Sequence, residues 1–335
     1  MKNIFKNKTI LITGGTGSFG TALIQKLVFY KPKKIIIYSR DELKQFESKK
    51  RFNKKEHFPL RYFIGDVRDK DRLMLAMRNV DYVFHAAAIK QVPTAEYNPM
   101  ECVKTNIIGA NNVIESSIFN SVKKVIALST DKAASPCNLY GASKLVSDKL
   151  FVAANNLVGK SPLRFSVVRY GNVVGSRGSV LPEFEKIIKS GSTILPITDK
   201  NMTRFWITLN QAINFSISSM EKMNGGEIFI PKLPSVRIVD LAKSFGKKIR
   251  LKFIGIRPGE KIHEIMCSSH DAHQTFEFKN YYIISPDIYF QSKQKNNLVK
   301  KDKGKPVNSN FEYSSGTNKH FLSIDEIKTI NKILK

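Results

Sequence analysis

Between Ser129 and Lys144 the chain reads STDKAASPCNLYGASK, gathering a carboxyl (Asp131), two amines (Lys132 and Lys144) and a phenol (Tyr140) on one short segment. Each of these groups can hold or release a proton, so the segment is equipped for general acid–base chemistry. Tyr140 and Lys144 stand four positions apart, which on a helix places both on one face. For an isolated Asp131-Lys132 pair the plain reading is a helix cap beside a solvated loop charge. Its company on this segment favours a catalytic pair.

These groups need a frame, and the flanking sequence supplies one. An apolar run, Lys124 to Leu128, precedes the segment and reads as a buried strand, and 141–158 has helical spacing. Similar runs recur at 9–13, 34–38, 61–64, 81–84 and 165–169, with helical patterns at 21–29, 71–79 and 106–119. Near-continuous apolar strands alternating with helices predict an α/β fold, a Rossmann-type doubly wound parallel sheet covered on both faces. Past residue 172 the pattern loosens. Helices are expected at 183–189, 210–223 and 324–334, and a returning strand at 227–230. The division expected is a nucleotide-binding domain over 1–171, with returning segments near 205–235, and a smaller C-terminal substrate-binding lobe from 172–204 and 236–335. Residues 291–320 are polar and lysine-rich and read as an extended surface segment or mobile loop.

The first strand–helix turn carries Thr13-Gly14-Gly15-Thr16-Gly17-Ser18-Phe19-Gly20. Glycines at 14, 17 and 20 permit a tight turn and close approach of a pyrophosphate, and the helix that follows offers free N–H groups and its positive end. The second strand ends in Ser39 and Arg40 rather than directly in a carboxylate. A hydroxyl and a guanidinium suit a 2′-phosphate, which favours NADP; the alternative is NAD, with Asp41 on the ribose. Asp66-Val67 ends the third strand, where a carboxylate can meet the adenine amino group. His85-Ala86-Ala87-Ala88 ends the fourth, where small side chains let the backbone approach a cofactor.

Together the glycine loop, Asp66-Val67, the HAAA run and Tyr140-Gly-Ala-Ser-Lys144 resemble the extended short-chain dehydrogenase/reductases over roughly residues 8–262. The resemblance implies that Tyr140 is the base in an oxidation, that Lys144 activates it and binds the cofactor ribose, and that Thr130 is their hydroxyl partner. Within the family, Ser129-Thr-Asp-Lys-Ala133 is similar to the soluble, inverting UDP-N-acetylglucosamine 4,6-dehydratases, which lead to pseudaminic acid and flagellin glycosylation. Asp131 and Lys132 then become the pair that eliminates water across carbons 5 and 6. Lys132 is the base if burial or the nearby Lys144 lowers its pKa, and Asp131 is the proton donor if it stays protonated. The same resemblance points Asn172, Arg257 and Glu260 at UDP-N-acetylglucosamine, with Lys90, Arg177 and Arg204 as further candidates, Lys90 also for the cofactor. It implies a homo-oligomer. An epimerase or reductase on the same fold, a retaining dehydratase, or a noncatalytic NADP-binding regulator stay open.

Bulk properties narrow the classes. The net charge of +27 suggests anionic partners, but the lysines are spread along the chain without an RNA- or DNA-recognition module, so a solvated basic surface is favoured over nucleic-acid binding. No apolar run is long enough to cross a membrane. Three cysteines without a CxxC pair fit a reduced, cytoplasmic compartment. Cys267, His263, His270 and His273 are close in sequence, but they lack zinc spacing, and the chemistry needs no metal. Trp206, the single tryptophan, is expected in the core.

Overall fold

Buried apolar runs set the centre of the molecule. In the computed structural model, which describes residues 3–52, 59–176, 179–286 and 303–333, six strands pair in parallel. They are β1 (Thr9–Thr13), β2 (Lys34–Ser39), β3 (Leu60–Ile64), β4 (Tyr82–His85), β5 (Lys124–Thr130) and β6 (Arg164–Tyr170). Their spatial order is β6-β5-β4-β1-β2-β3, so the order reverses between β1 and β4. A crevice opens at the carboxyl ends of strands at such a reversal. Ile228–Pro231 continues the sheet in parallel beside β6. Tyr281–Ile284, Thr275–Glu277 and Lys305–Pro306 then extend it antiparallel.

Helices α1 (Ser18–Leu27), α2 (Glu42–Phe52), α3 (Lys70–Ala76), α4 (Val92–Tyr97), α5 (Pro99–Val103), α6 (Gly109–Phe119) and α7 (Leu139–Ala153) connect and flank the strands. Three of them, α2, α4 and α5, lie outside the helices expected from periodicity. The run ELKQFESKKRF of α2 buries only Gln45, Ser48 and Phe52, too little apolar surface to make a stripe. Between α5 and α6 one π-helical turn spans Lys104–Ile108. It carries Asn106, whose side chain accepts from Ile89 N and donates to Ile89 O and Ser143 Oγ, tying the loop after β4 to α7. Such bulges are common where a helix must aim a side chain at a site.

A second core lies apart from the sheet. Leu181 and Phe184 of helix Val180–Lys189 pack with Leu195, Trp206, Leu241, Leu322 and Ile327. Trp206 is a core residue, as expected. The expected polar segment 291–320 lies partly outside the described residues, at 291–302. Its later part departs from a surface reading. Tyr313–Ser314 pairs with Ile265–Cys267, and Tyr313, Ser314 and Ser315 are buried. The Tyr313 hydroxyl satisfies both backbone groups of Leu233, at 2.7 and 3.0 Å, which makes this burial affordable in an otherwise polar stretch. Among the described residues no helix is long and apolar enough to cross a membrane, and all three cysteines are free thiols.

Candidate active site

One cleft of about 920 Å³ opens at the reversal point of the sheet. Its first wall is the loop between β1 and α1. Gly14 sits at φ +66°, and a Cβ there would lie 2.9 Å from Ala87 N; one on Gly20 would lie 2.5 Å from Gly15 Cα. The loop therefore keeps glycine both for its left-handed turn and for close backbone contact with the end of β4. Gly17 caps α1 without a side chain, which leaves the first-turn N–H groups of the helix facing the cleft. These features fit a dinucleotide pyrophosphate. Ser39, Arg40, Asp66, Val67 and Ala86 line the same wall. Arg40 stands 3.6 Å from Asp66, which Arg68 also grips at 2.7 Å, so the cations hold the Asp66 carboxyl below its usual range despite partial burial. Asp41, the alternative ribose ligand, is paired with Lys44 at 2.6 Å.

Thr13, one of the expected cofactor-binding residues, ends β1. It is fully buried, shares a 2.8 Å hydrogen bond with His85 Nδ1 and accepts from Ala86 N, so it fixes the end of β4 from behind the cleft wall.

The chemistry segment forms the floor. Thr130 ends β5, a single 3₁₀ turn carries Asp131 and Lys132, and Asn138 caps α7 by accepting from Gly141 N at 2.7 Å. Thr130 Oγ1 bonds Asp131 Oδ1 at 3.0 Å and also hydrogen-bonds the Tyr140 side chain. Lys132 Nζ lies 3.1 Å from Asp131 Oδ1 and 2.9 Å from Glu264 Oε1. Glu264 is 2% exposed and also faces Arg204 Nε at 3.6 Å. One turn beyond Lys144 on α7, Asp148 is buried and accepts from Ser129 Oγ at 2.7 Å and from Arg169 at 3.1 Å.

These neighbours overturn one expectation. Lys132 is not lowered. Burial pushes its amine toward neutrality, but Asp131 and Glu264 outweigh burial, and its pKa rises above the ordinary lysine value. At rest it is an ammonium. Lys144, by contrast, is lowered, because burial acts on it with only Asp148 in opposition. Burial raises Asp131 against the pull of Lys132, the direction a proton donor needs. Burial also pushes the Tyr140 phenol up to about 12, and the cation that most opposes this is Lys132 rather than the expected Lys144.

The far wall comes from distant segments. Asn172, Arg204, Arg257 and Glu260 line it, and Lys90 reaches the cleft from the loop after β4. Arg204 spends donors on the carbonyls of Thr203 (2.7 Å) and Ile262 (3.1 Å), so it braces the wall while facing the cleft. Arg177 lies outside the described residues. Segment 257–264 is stapled to the chemistry loop: Asn138 Nδ2 donates to Gly259 O at 2.7 Å, and Lys261 Nζ to Ala134 O at 2.8 Å. Asp131 Oδ2, Glu264 Oε2, Asn172 Oδ1 and Glu260 Oε2 are buried without a hydrogen-bond partner among the described residues. A ligand rich in hydroxyl and amide groups would complete that set. Glu264 and Asp148 were missed in the sequence. Glu264 closes the run RPGEKIHE, and Asp148 continues the i, i+4 series Tyr140, Lys144. The histidines and Cys267 turn to separate partners: His263 to Thr203, His273 to Gln274, and Cys267 to Thr275.

Residues 10–286 match a family described as polysaccharide biosynthesis protein. The chain is 59% identical over 330 residues to a UDP-N-acetylglucosamine 4,6-dehydratase (inverting) of Campylobacter jejuni subsp. jejuni serotype O:23/36, covering 98% of each. It is 43% identical over 292 residues to a UDP-glucose 4-epimerase of Rickettsia canadensis, covering 85% of this chain and 84% of the other. The X-ray structure of Pen from Bacillus thuringiensis superposes with a TM-score of 0.89 at 39% identity, covering 99% of this chain and 100% of that one. A dTDP-glucose 4,6-dehydratase from Streptomyces venezuelae, solved with NAD, shares the fold at a TM-score of 0.66 and 21% identity, over 76% of this chain and 86% of the other.

Proposed function

From the chain's membership of the polysaccharide biosynthesis protein family, within the extended short-chain dehydrogenase/reductase fold, we propose that it is a UDP-N-acetylglucosamine 4,6-dehydratase that also inverts carbon 5. Its product is then UDP-2-acetamido-2,6-dideoxy-β-L-arabino-hex-4-ulose, a precursor for pseudaminic acid and flagellin glycosylation. The observation that carries this reading is the pairing of buried Asp131 with Lys132 beside Tyr140 and Lys144, opposite a glycine loop shaped for a dinucleotide. A 4-epimerase, the second reading raised by the 43% identical relative, has work for Tyr140, Lys144 and Thr130 but none for that pair.

The residues divide the labour as follows. The cofactor, NADP by the Ser39 hydroxyl and the Arg40 guanidinium after β2, would be held by Gly14 to Gly20, Ser39, Arg40, Asp66 and Lys144. When bound, it supplies the hydride acceptor for carbon 4 and the donor for carbon 6. Tyr140 acts as its phenolate, having first released its own proton to solvent, and receives the proton of the 4-hydroxyl. The resulting 4-ketone acidifies the proton on carbon 5, which Lys132 accepts. Asp131 donates to the departing 6-hydroxyl, helped by the burial that raises its pKa. Arg257 and Asn172 bind the pyrophosphate and Glu260 the uridine ribose. The enzyme works as a cytoplasmic homo-oligomer.

An NMR time course with UDP-N-acetylglucosamine in deuterated water tests the proposal. A new 6-deoxy methyl signal, deuterium at carbon 5 with inverted configuration, no net reduced cofactor, and tighter binding of NADP than NAD are expected. Bound cofactor without any methyl signal would sink it.

A further inference from the structure

We infer that Glu264 is a positioning residue for Lys132, closing an Asp131–Lys132–Glu264 chain that determines where the lysine's proton rests. The inference deepens the proposed dehydratase reading and rests on it. It starts from proton accounting. A lysine that is an ammonium at rest cannot accept a proton from carbon 5 until it has given one up. Glu264 Oε1 is 2.9 Å from Lys132 Nζ, within reach of that proton. Its transfer runs uphill, since the pairing that raises Lys132 also holds the Glu264 carboxyl below its usual range against burial, but it turns ammonium and carboxylate into neutral amine and neutral carboxyl, so no net charge enters the cleft. The amine then takes the proton of carbon 5 with its electron pair, and the carbon 5–carbon 6 double bond forms as the 6-hydroxyl leaves protonated by Asp131.

The geometry gives Glu264 this part rather than a general structural one. Its backbone is tied independently of its side chain, since Glu264 N donates to Ser315 Oγ at 2.9 Å and Ser315 N to Glu264 O at 2.8 Å. The carboxylate lines the cleft, with Oε1 turned to Lys132 and Arg204 and Oε2 buried without a hydrogen-bond partner among the described residues. Among the described residues the charged groups around the pair are few. Lys132 is faced by Asp131, Glu264 and Arg204, with Tyr140 nearby; Glu264 is faced also by Lys261. Removing the Glu264 charge therefore leaves Lys132 with Asp131 alone against Arg204 and burial. Lys132 is 23% exposed, so its amine keeps access to the cleft while Glu264 is sealed behind it.

The test uses the full chain with lysines labelled with ¹⁵N at Nζ, the Lys132 resonance being assigned by its loss in Lys132→Met. In Glu264→Gln the Lys132 titration midpoint falls by about one pH unit or more, and in Glu264→Asp it returns toward wild type. With substrate, Glu264→Gln lowers kcat by roughly 10²-fold, moves KM by less than about threefold, and shifts the pH limb that belongs to Lys132 to lower pH. Unchanged midpoints across the three proteins would overturn the inference. If Glu264→Gln does not fold, the comparison of Glu264→Asp with wild type decides it, the shorter acid giving a smaller fall in the same direction. The substrate-free titration separates the two proposals. A wild type that makes no 6-deoxy product, with the midpoint still moving, refutes the activity and leaves the chain standing. Product formation with an unmoved midpoint refutes the role of Glu264 alone.

Discussion

Lys132 and Lys144 lie on the same segment and both border the cleft, yet their surroundings push them in opposite directions. Around Lys132, two carboxylates from different parts of the chain overcome burial and keep the amine charged. Around Lys144, burial prevails, with only Asp148 opposing it, and its field also depresses His85. One region is built to hold a proton and hand it on. The other favours neutral groups. The difference teaches that the partners of a buried amine, more than its depth, decide what it can do.

The sharpest way to break this comparison is to remove each lysine separately. Lys132→Met should lose turnover by about 10²–10⁴-fold while still reducing bound cofactor in the presence of substrate. Lys144→Met should lose that reduction itself, by a similar factor. Absorbance of reduced cofactor under single-turnover conditions reads the difference, and equal loss of reduction in both variants would erase the division.

A second comparison reads the Lys144 side through His85, whose pKa is pushed down to about 3 by burial first and by Lys144 second. The unfolded chain takes up that proton near pH 6.5, so the stability from neutral His85 is complete above this value and is lost as pH falls toward 3. Urea unfolding of wild type and His85→Asn should diverge through that window, with a difference in slope of up to about 1.4 kcal/mol per pH unit. Parallel curves would show that His85 is not held neutral.

The smallest effect sharpens the Lys132 side. Asn138 caps α7 and ties the chemistry loop to Gly259. Asn138→Ala should cost about 1 kcal/mol in unfolding free energy for the cap. The lost tie should raise KM for the nucleotide sugar more than it lowers kcat, and a variant with unaltered kinetics would confine Asn138 to capping.

Much of this molecule was legible in one dimension wherever a short run of residues makes a complete physical statement. The parallel strands announce themselves as apolar runs because both faces are covered. The glycine loop does so because a tight turn, a close approach and a helix start follow one another along the chain. Tyr140 and Lys144 do so because one helical turn brings them together. Helix α2 was opaque because its few buried positions make no stripe, and Tyr313 to Ser315 because a polar stretch is buried through bonds to Leu233.

The sequence by itself determined the doubly wound sheet, the glycine turn after β1 and which chemical groups stand between Ser129 and Lys144, since these depend on local sterics and on periodicities of two and 3.6 residues. The tertiary structure alone decided their protonation. The distance from Lys132 Nζ to Glu264 Oε1 spans more than a hundred residues of chain and closes to 2.9 Å only when the far wall folds over the floor. Charge interactions act through space in a medium whose polarity the fold creates, so no spacing along the chain could have revealed that this lysine rests as an ammonium.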